Sequence, residues 1–236
     1  MAKVLVIIPA YNEQESIINV IHKLKNDFSE ADYIVINDCS SDNTLQLLEE
    51  NKANYINLPL NLGIGGGVQT GYKYALQNDY DIAIQIDGDG QHDTLYLKNV
   101  IDPILKREAD IVIGSRFINK EGFQSSGIRR IGINFLSWLI KICCGTEVLD
   151  VTSGFRAVNR KYIAEYAKEY PVDYPEPEAI VNSSLEGAKI IEVPVIMNER
   201  TGGTSSISIG KSVYYMIKVS LAIILCRLTH RKGKNE

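Results

Sequence analysis

Short, continuously apolar runs alternate with segments of helical pattern over the first 115 residues. The runs are Val4–Ile8, Tyr33–Ile36, Tyr55–Leu58, Ile82–Ile86 and Ile111–Ile113. Ser16–Lys25, Thr44–Asn51, Gly67–Gln77 and Leu95–Lys106 lie between them with the spacing of helices. A strand that is apolar throughout, rather than at every second residue, is buried on both faces. Strand–helix alternation therefore predicts an α/β fold: a mostly parallel central sheet with helices on both faces. Asp42 and Asp93 are placed to cap the helices that follow them. After about residue 117 the pattern loosens. Ile128–Cys144 reads as an apolar helix carrying Phe135 and Trp138, and Asp150–Val158 as a mixed, strand-like stretch. Tyr170–Glu178 holds three prolines and reads as a loop. Ile190–Ile196 reads as a strand, Arg200–Ser208 as a mobile Gly/Ser/Thr-rich segment, and Lys211–Leu228 as the last helix. No Pro- or Gly-rich linker and no repeat divides the chain. The expected organisation is one domain over 1–210, followed by an apolar helix and basic tail over 211–236.

The polar residues cluster just after the apolar runs. Pro9-Ala-Tyr-Asn-Glu13, Asn37-Asp-Cys-Ser-Ser-Asp42, Asn61-Leu-Gly-Ile-Gly65, Asp87-Gly-Asp-Gly-Gln91 and Gly114-Ser-Arg116 each follow one strand. In a parallel sheet such segments gather at the carboxyl edge, where ligands bind. Any one of them could be an ordinary turn, but the convergence of all five predicts a site. Asp87 and Asp89 flank a single glycine there. Carboxylates this close repel one another, so a proton or a divalent cation must relieve them. Mg²⁺ or Mn²⁺ suits a few hard oxygens completed by substrate phosphates, and Gln91 adds a neutral oxygen. The glycines from Gly63 to Gly67 do not make a dinucleotide loop. Val68 stands where a GxGxxG match would need glycine, the segment follows the third strand, and no P-loop motif occurs. They bring backbone close either to a ligand at a helix start or to a packed neighbour.

Composition narrows the partners. Of 236 residues, 45% are apolar and 23% charged, which supports a real core and excludes a disordered chain. Lys and Arg number 25 against 29 Asp and Glu, a formal charge of −4. That balance argues against nucleic acid as the main partner. Cys39, Cys143, Cys144 and Cys226 form no CxxC pair, and His22, His92 and His230 have no zinc-ligand spacing. Reduced thiols in a cytoplasmic protein are expected. The N-terminus carries no signal-like segment.

The ordered motifs Ile8-Pro-Ala-Tyr-Asn-Glu13, Ile36-Asn-Asp-Cys-Ser-Ser-Asp-Asn-Thr44, Asn61-Leu-Gly through Gly71 and Asp87-Gly-Asp-Gly-Gln-His92 resemble family 2 glycosyltransferases of the GT-A fold. Gly114-Ser-Arg-Phe117, Arg129-Arg130, Thr152-Ser-Gly-Phe-Arg156 and Arg200-Thr-Gly-Gly-Thr-Ser205 resemble the branch of dolichyl-phosphate mannose synthase and bacterial polyprenyl-phosphate glycosyltransferases. The resemblance implies that Pro9, Tyr11, Glu13, Asp38 and Gly63 hold the donor nucleotide with Asp87. It implies that Asp87, Asp89 and Gln91 bind Mg²⁺ or Mn²⁺ on the donor diphosphate. Asn37 and Cys39 stand where the family often has an acid and a glycine, and Asp93-Thr94 replaces paired prolines; with Asp38 retained, tuning of the donor site is expected from the first two.

The expected reaction is inverting transfer of a sugar from a nucleotide donor, a UDP-sugar or GDP-mannose, to a polyprenyl phosphate. A phosphate monoester is about nine-tenths dianionic at pH 7, so it needs cations and positioning rather than a base. Arg116, Arg129 and Arg200 are the expected phosphate ligands, with Asp89, Arg116 and Asp150 at the reacting centre. If Asp150 or Glu178 must act as general base, the acceptor is a hydroxyl and the enzyme extends a glycan. Arg156 could pair with either acid. A non-catalytic nucleotide-sugar-binding or scaffold protein is the remaining alternative. The 14 residues from Val213 to Cys226 are nearly all apolar but rise only about 21 Å as a helix, short of a bilayer core of about 30 Å. Basic residues follow. A core helix, a subunit interface in a homo-oligomer, and an in-plane helix at the cytoplasmic face of a membrane all fit, as does contact with a small membrane-protein partner.

Overall fold

The computed structural model describes residues 2–124, 127–199 and 209–232. Seven strands form a single sheet: β1 (Val4–Ala10), β2 (Asp32–Asn37), β3 (Tyr55–Asn57), β4 (Ile82–Gln85), β5 (Ile111–Ser115), β6 (Arg156–Asn159) and β7 (Ile190–Pro194). Their order is β3-β2-β1-β4-β6-β5-β7. All pairs are parallel except those made by β6, which runs antiparallel between β4 and β5. The helices are α1 (Ile17–Asp27), α2 (Thr44–Glu50), α3 (Gly63–Gln77), α4 (Leu97–Leu105), α5 (Gly127–Cys144), α6 (Arg160–Lys168), α7 (Pro175–Leu185) and α8 (Ile209–Lys232), with a short 3₁₀ turn at Thr94–Tyr96.

Successive residues of the apolar strands serve opposite faces. Val4, Val6 and Ile8 join α1, α2 and α4 through Ile17, Ile21, Leu48, Val100 and Ile101. Leu5 and Ile7 join α3 and α5 to α8 on the other face, through Val68, Leu136, Tyr162, Ile180 and Ile223. This is the two-sided burial that continuous apolar runs require. Asp42 accepts from the Thr44 N–H, but Asn43 holds the cap position of α2, and Asp93 accepts from the Leu95 N–H and so caps the 3₁₀ turn rather than α4.

Three elements differ from the sequence reading. Helix α7 begins at Pro175, inside the stretch read as a loop; proline suits the first helical turn because its missing N–H would be unpaired there anyway. Helix α6 was not anticipated at all. Helix α3 starts at Gly63, four residues early. There Gly65 is packed so closely on the 171–172 backbone that a Cβ would lie 2.1 Å from the Pro171 carbonyl oxygen, and Gly71 presses on Ile7. These two glycines serve packing. The stretch 200–208, including Arg200, lies outside the described residues.

Candidate active site

The carboxyl ends of β1, β2 and β4 and the segments that follow them form one edge. Asp38, after β2, is buried, and its Oδ1 accepts the Leu62 N–H at 2.7 Å, tying it to the start of α3. Asn61 donates to the Asp38 carbonyl at 3.1 Å. Asn37 is engaged with Asn57 at 2.7 Å and with Ser40, and Cys39 adopts a left-handed φ of 57°. Pro9 is buried at the end of β1, and its carbonyl accepts from Gly88 at 3.3 Å, joining this edge to the acidic loop. Tyr11 is 50% exposed beside it. Glu13 accepts from the Ser16 hydroxyl at 2.9 Å and starts α1. Gly63 has a left-handed φ of 75° with open space where a side chain would be.

Asp87 and Asp89 stand on the loop after β4. Asp89 is buried, with its Oδ1 accepting the Gln91 N–H at 3.0 Å. The Asp87 side chain is 34% exposed, so it faces solvent at the edge. Its Oδ1 receives a long bond of 3.3 Å from Gln85. The Asp87 N–H donates to His92 Nδ1 at 2.9 Å, which puts the imidazole proton on Nε2, 3.7 Å from Asp87 Oδ2. His92 is buried and stacked on Phe155. Gly154 lies so close that a Cβ would be 3.1 Å from Asp87 Oδ1. Among the described residues, no group of three His, Cys, Asp or Glu side chains gathers around a point. Two carboxylates and the Gln91 amide are a hard, oxygen-only set. They fit a Mg²⁺ or Mn²⁺ ion that completes its shell with water and diphosphate rather than a closed protein cage.

Arg116 and Asp150 are locked together. The Arg116 Nε donates to Asp150 Oδ2 at 2.7 Å, Nη2 to Oδ1 at 2.6 Å, and the Arg116 backbone N–H to Oδ2 at 3.1 Å. Both side chains are buried. Both Asp150 oxygens therefore accept from Arg116, which is the geometry of a partner that orients the guanidinium. The Glu192 carboxylate on β7 fixes the turn by accepting the Leu149 and Asp150 N–H groups at 2.7 and 2.8 Å. Arg129 and Arg130 occupy the first turn of α5. The Arg130 guanidinium lies 3.3 Å from the centroid of the Phe117 ring. Burial, with the nearby Arg116 charge adding to it, lowers the pKa of Arg129 from the ordinary arginine value.

Glu178 and Glu176 separate on α7. Glu178 is near Lys218 and Cys226 of α8, away from the sheet edge. Glu176 is within electrostatic reach of Asp87 and Arg156, and its burial raises its pKa above the ordinary carboxylate value. Arg156 pairs with neither acid read as its partner. It donates to the carbonyls of Ser153 and Glu176. Sequence reasoning thus missed Glu176, His92, Gly154 and Glu192. The signal for Glu176 was in the proline pair that starts α7.

Helices α5 and α8 pack against each other beside this edge, with Gly132 under Met216. Each buries one face and exposes an apolar stripe on the other: Ile131, Phe135, Trp138 and Ile142 on α5, and Tyr214, Ile217, Leu221, Ile224, Leu225 and Leu228 on α8. The last helix is therefore neither fully core nor detached. No helix among the described residues is long and apolar enough to cross a membrane.

The comparisons agree with this anatomy. The chain is 28% identical over 236 residues to an undecaprenyl-phosphate mannosyltransferase of Micrococcus luteus, covering 93% of this chain and 95% of that protein. It is 29% identical over 240 residues to a UDP-N-acetylglucosamine–dolichyl-phosphate N-acetylglucosaminyltransferase of Methanococcus voltae, covering 91% and 94%. Among solved structures, glucosyl-3-phosphoglycerate synthase of Mycobacterium tuberculosis, in complex with Mn²⁺, UDP and glucosyl-3-phosphoglycerate, superposes with a TM-score of 0.69. That match is 19% identical and covers 96% of this chain and 80% of the other, so it speaks for the fold. Residues 5–167 match the model of glycosyl transferase family 2. With its seven-stranded sheet and acidic loop at the carboxyl edge, the chain belongs to that family and is a glycosyltransferase of the GT-A fold.

Proposed function

We propose that the protein transfers a sugar, with inversion, from a nucleotide-sugar to a polyprenyl phosphate at the cytoplasmic face of a membrane. A UDP-sugar is the favoured donor, with GDP-mannose the alternative. The observation that carries this reading is the arginine cluster. Arg116, Arg129 and Arg130 lie within electrostatic reach of Asp150, in the 150–154 turn whose Gly154 lies against Asp87, and α5 carries an exposed apolar stripe. Asp150 is bound to Arg116, and Glu178 lies near Lys218 and Cys226. A dianionic phosphate needs no deprotonation, and guanidinium groups bind it well. The names of the relatives, which act on undecaprenyl and dolichyl phosphates, support the acceptor class. The UDP and Mn²⁺ held by the structural neighbour support the donor and the cofactor.

In this reading Asp38 accepts a base N–H with the oxygen not committed to Leu62, and Pro9, Tyr11, Glu13 and Gly63 frame the nucleoside. Asp87, Asp89 and Gln91 hold Mg²⁺ or Mn²⁺, which when bound offsets charge on the departing diphosphate. Arg116, kept oriented by Asp150, and Arg129 align the acceptor phosphate for attack opposite the leaving group, with Arg200 as a third proposed ligand. The exposed stripes rest on the lipid surface, and the basic C-terminal residues favour an anionic leaflet.

A panel of UDP- and GDP-sugars with a short-chain polyprenyl phosphate and Mn²⁺ tests the proposal. Release of nucleoside diphosphate together with a lipid-linked sugar is expected. Transfer to a sugar hydroxyl with none to the lipid phosphate overturns it.

A further inference from the structure

Arg156 is fully buried in the middle of the sheet, where a guanidinium without partners is costly. It stands on β6 opposite Gln85 of β4. Its Nη2 donates to the Ser153 carbonyl at 2.8 Å, and its Nη1 to the Glu176 carbonyl at 3.4 Å. The rings of Tyr72, Tyr166 and Tyr170 pack on one another beside it, with centroids 5.0 to 5.5 Å apart. Arg156 Nε, Gln85 Oε1 and the hydroxyls of Tyr72 and Tyr170 make no hydrogen bond among the described residues. The Glu176 carboxylate favours the charge from within electrostatic reach, and the two carbonyls fix where the guanidinium sits.

Those carbonyls belong to different parts of the site. Ser153 closes the turn that contains Asp150 and Thr152, and it is also tied to the Gly114 carbonyl at 2.7 Å. The next residue, Gly154, lies against Asp87 and Gln85, and Gln85 in turn donates to Asp87. Glu176 opens α7, with its carboxylate in the field of Asp87. One side chain thus ties the 150–154 turn to the first turn of α7, and through Gly154 that turn lies against the end of β4.

We propose that Arg156 is a positioning residue: from behind the site it holds the turn that orients Arg116 in register with Asp87, and so couples the acceptor side to the metal side. This rests on the donor and metal assignment above. It goes beyond it by giving a role to a residue that touches neither substrate.

The test uses Arg156→Met and Arg156→Lys in the full chain. Met fills similar space without the charge, and it is introduced together with Glu176→Gln so that no buried carboxylate is left without its counter-charge. Lys keeps the charge but can reach only one of the two carbonyls well. Amide exchange is followed over residues 86–92, 150–156 and 175–180, with melting temperature as the control. Calorimetric titration with UDP in the presence and absence of Mn²⁺ gives the second readout. For Arg156→Met with Glu176→Gln we expect exchange at least tenfold faster in all three segments, unchanged exchange in β1 and α4, and Mn²⁺-dependent UDP affinity weaker by tenfold or more at a similar melting temperature. Arg156→Lys should fall between. If exchange in the three segments is unaltered, Arg156 does not position them and the proposal fails. Faster exchange with unchanged Mn²⁺-dependent affinity breaks the coupling to Asp87 and also overturns it. Should the unaltered protein itself bind no UDP with Mn²⁺, the donor assignment fails, and the exchange measurement still decides whether Arg156 fastens the loops.

Discussion

Removing one member of the Arg116–Asp150 pair should harm the protein more than removing both. The pair is bidentate, with bonds of 2.7 and 2.6 Å, and both side chains are buried. Asp150→Leu leaves a guanidinium in that environment with the neutral Thr152 hydroxyl at 3.2 Å and the Phe117 ring, 5.1 Å to its centroid, in place of a counter-charge. Arg116→Met leaves the carboxylate with the backbone N–H of residue 116 and a long bond of 3.5 Å from the Thr152 hydroxyl. Breaking a buried pair from one side costs about 3–5 kcal/mol, while replacing both charges by apolar groups is often neutral. At about 2–4 °C per kcal/mol for a chain of this size, each single variant should melt about 6–20 °C lower. The double variant should recover most of that loss. Activity should not follow stability, because the double variant lacks the Arg116 cation proposed to align the acceptor. The assay is a thermal melt of the four proteins, paired with turnover of donor and lipid phosphate. If Asp150 were a free general base, Asp150→Leu would abolish turnover with little change in melting. Single variants that melt within about 2 °C of the parent would refute the reasoning.

Three further outcomes follow from the same geometry. Trp138, Leu221 and Leu225 are each a little over half exposed. If they rest in lipid, changing all three to Ser removes about 1 kcal/mol each, so partition onto anionic vesicles should drop about 100-fold with melting unchanged; undiminished partition would exclude these stripes as the lipid contact. Gly154→Ala places a Cβ 2.8 Å from Gln85 Nε2 and 3.1 Å from Asp87 Oδ1, and should raise the Mn²⁺ concentration needed for half-maximal activity about tenfold; an unchanged metal titration contradicts the assignment of Asp87. Burial raises the Glu176 pKa in the folded state, so the native protein holds that proton more tightly than the unfolded chain and loses stability as pH rises through the interval. Glu176→Gln should therefore melt above the parent at pH 8, with the gap closing toward pH 4, and a parent that is equal or more stable at pH 8 would negate the burial argument.

The first half of the fold was legible because its strands are buried on both faces. Val4–Ile8 and Ile82–Ile86 admit few other readings, and the polar segments that end them fall at one edge by the geometry of a parallel sheet. Strand β6 was partly hidden because Arg156 sits inside it, and a charged residue in a central strand breaks the apolar pattern. Its antiparallel direction depends on pairing with both β4 and β5, which no local pattern encodes. Helix α7 was obscured by prolines that mark a loop in the middle of a segment but a start in the first turn of a helix. Read as a loop, that stretch also gives no ground for preferring Glu176 to Glu178; on a helix, residues two apart point about 200° apart, so only one can face Asp87. The Arg116–Asp150 lock was illegible for a different reason: the partners are 34 residues apart and meet only through the order of β5 and β6.

The formal charge of −4 conceals the feature that best explains the acceptor proposal. Negative charge at Asp87 and Asp89 and positive charge at Arg116, Arg129 and Arg130 occupy neighbouring parts of one edge, so the average describes neither. Burial lowers the pKa of both Arg129 and Arg130, and the Arg116 charge lowers them further. Asp150 is paired directly with Arg116 and reaches Arg129 and Arg130 only through space, so an anion that bridges the three guanidinium groups would stabilise them further. Helix α5 supplies the second half of the requirement. Its first turn carries Arg129 with the positive end of the helix dipole. Trp138 stands nine residues further on, about 14 Å along the axis, in the exposed stripe that begins at Ile131 and ends at Ile142. A free sugar hydroxyl would use neither the cations nor the stripe. A phosphate with a long apolar chain would use both: in the proposed reading its head lies in the arginine cluster and its tail runs beside the exposed stripe of α5.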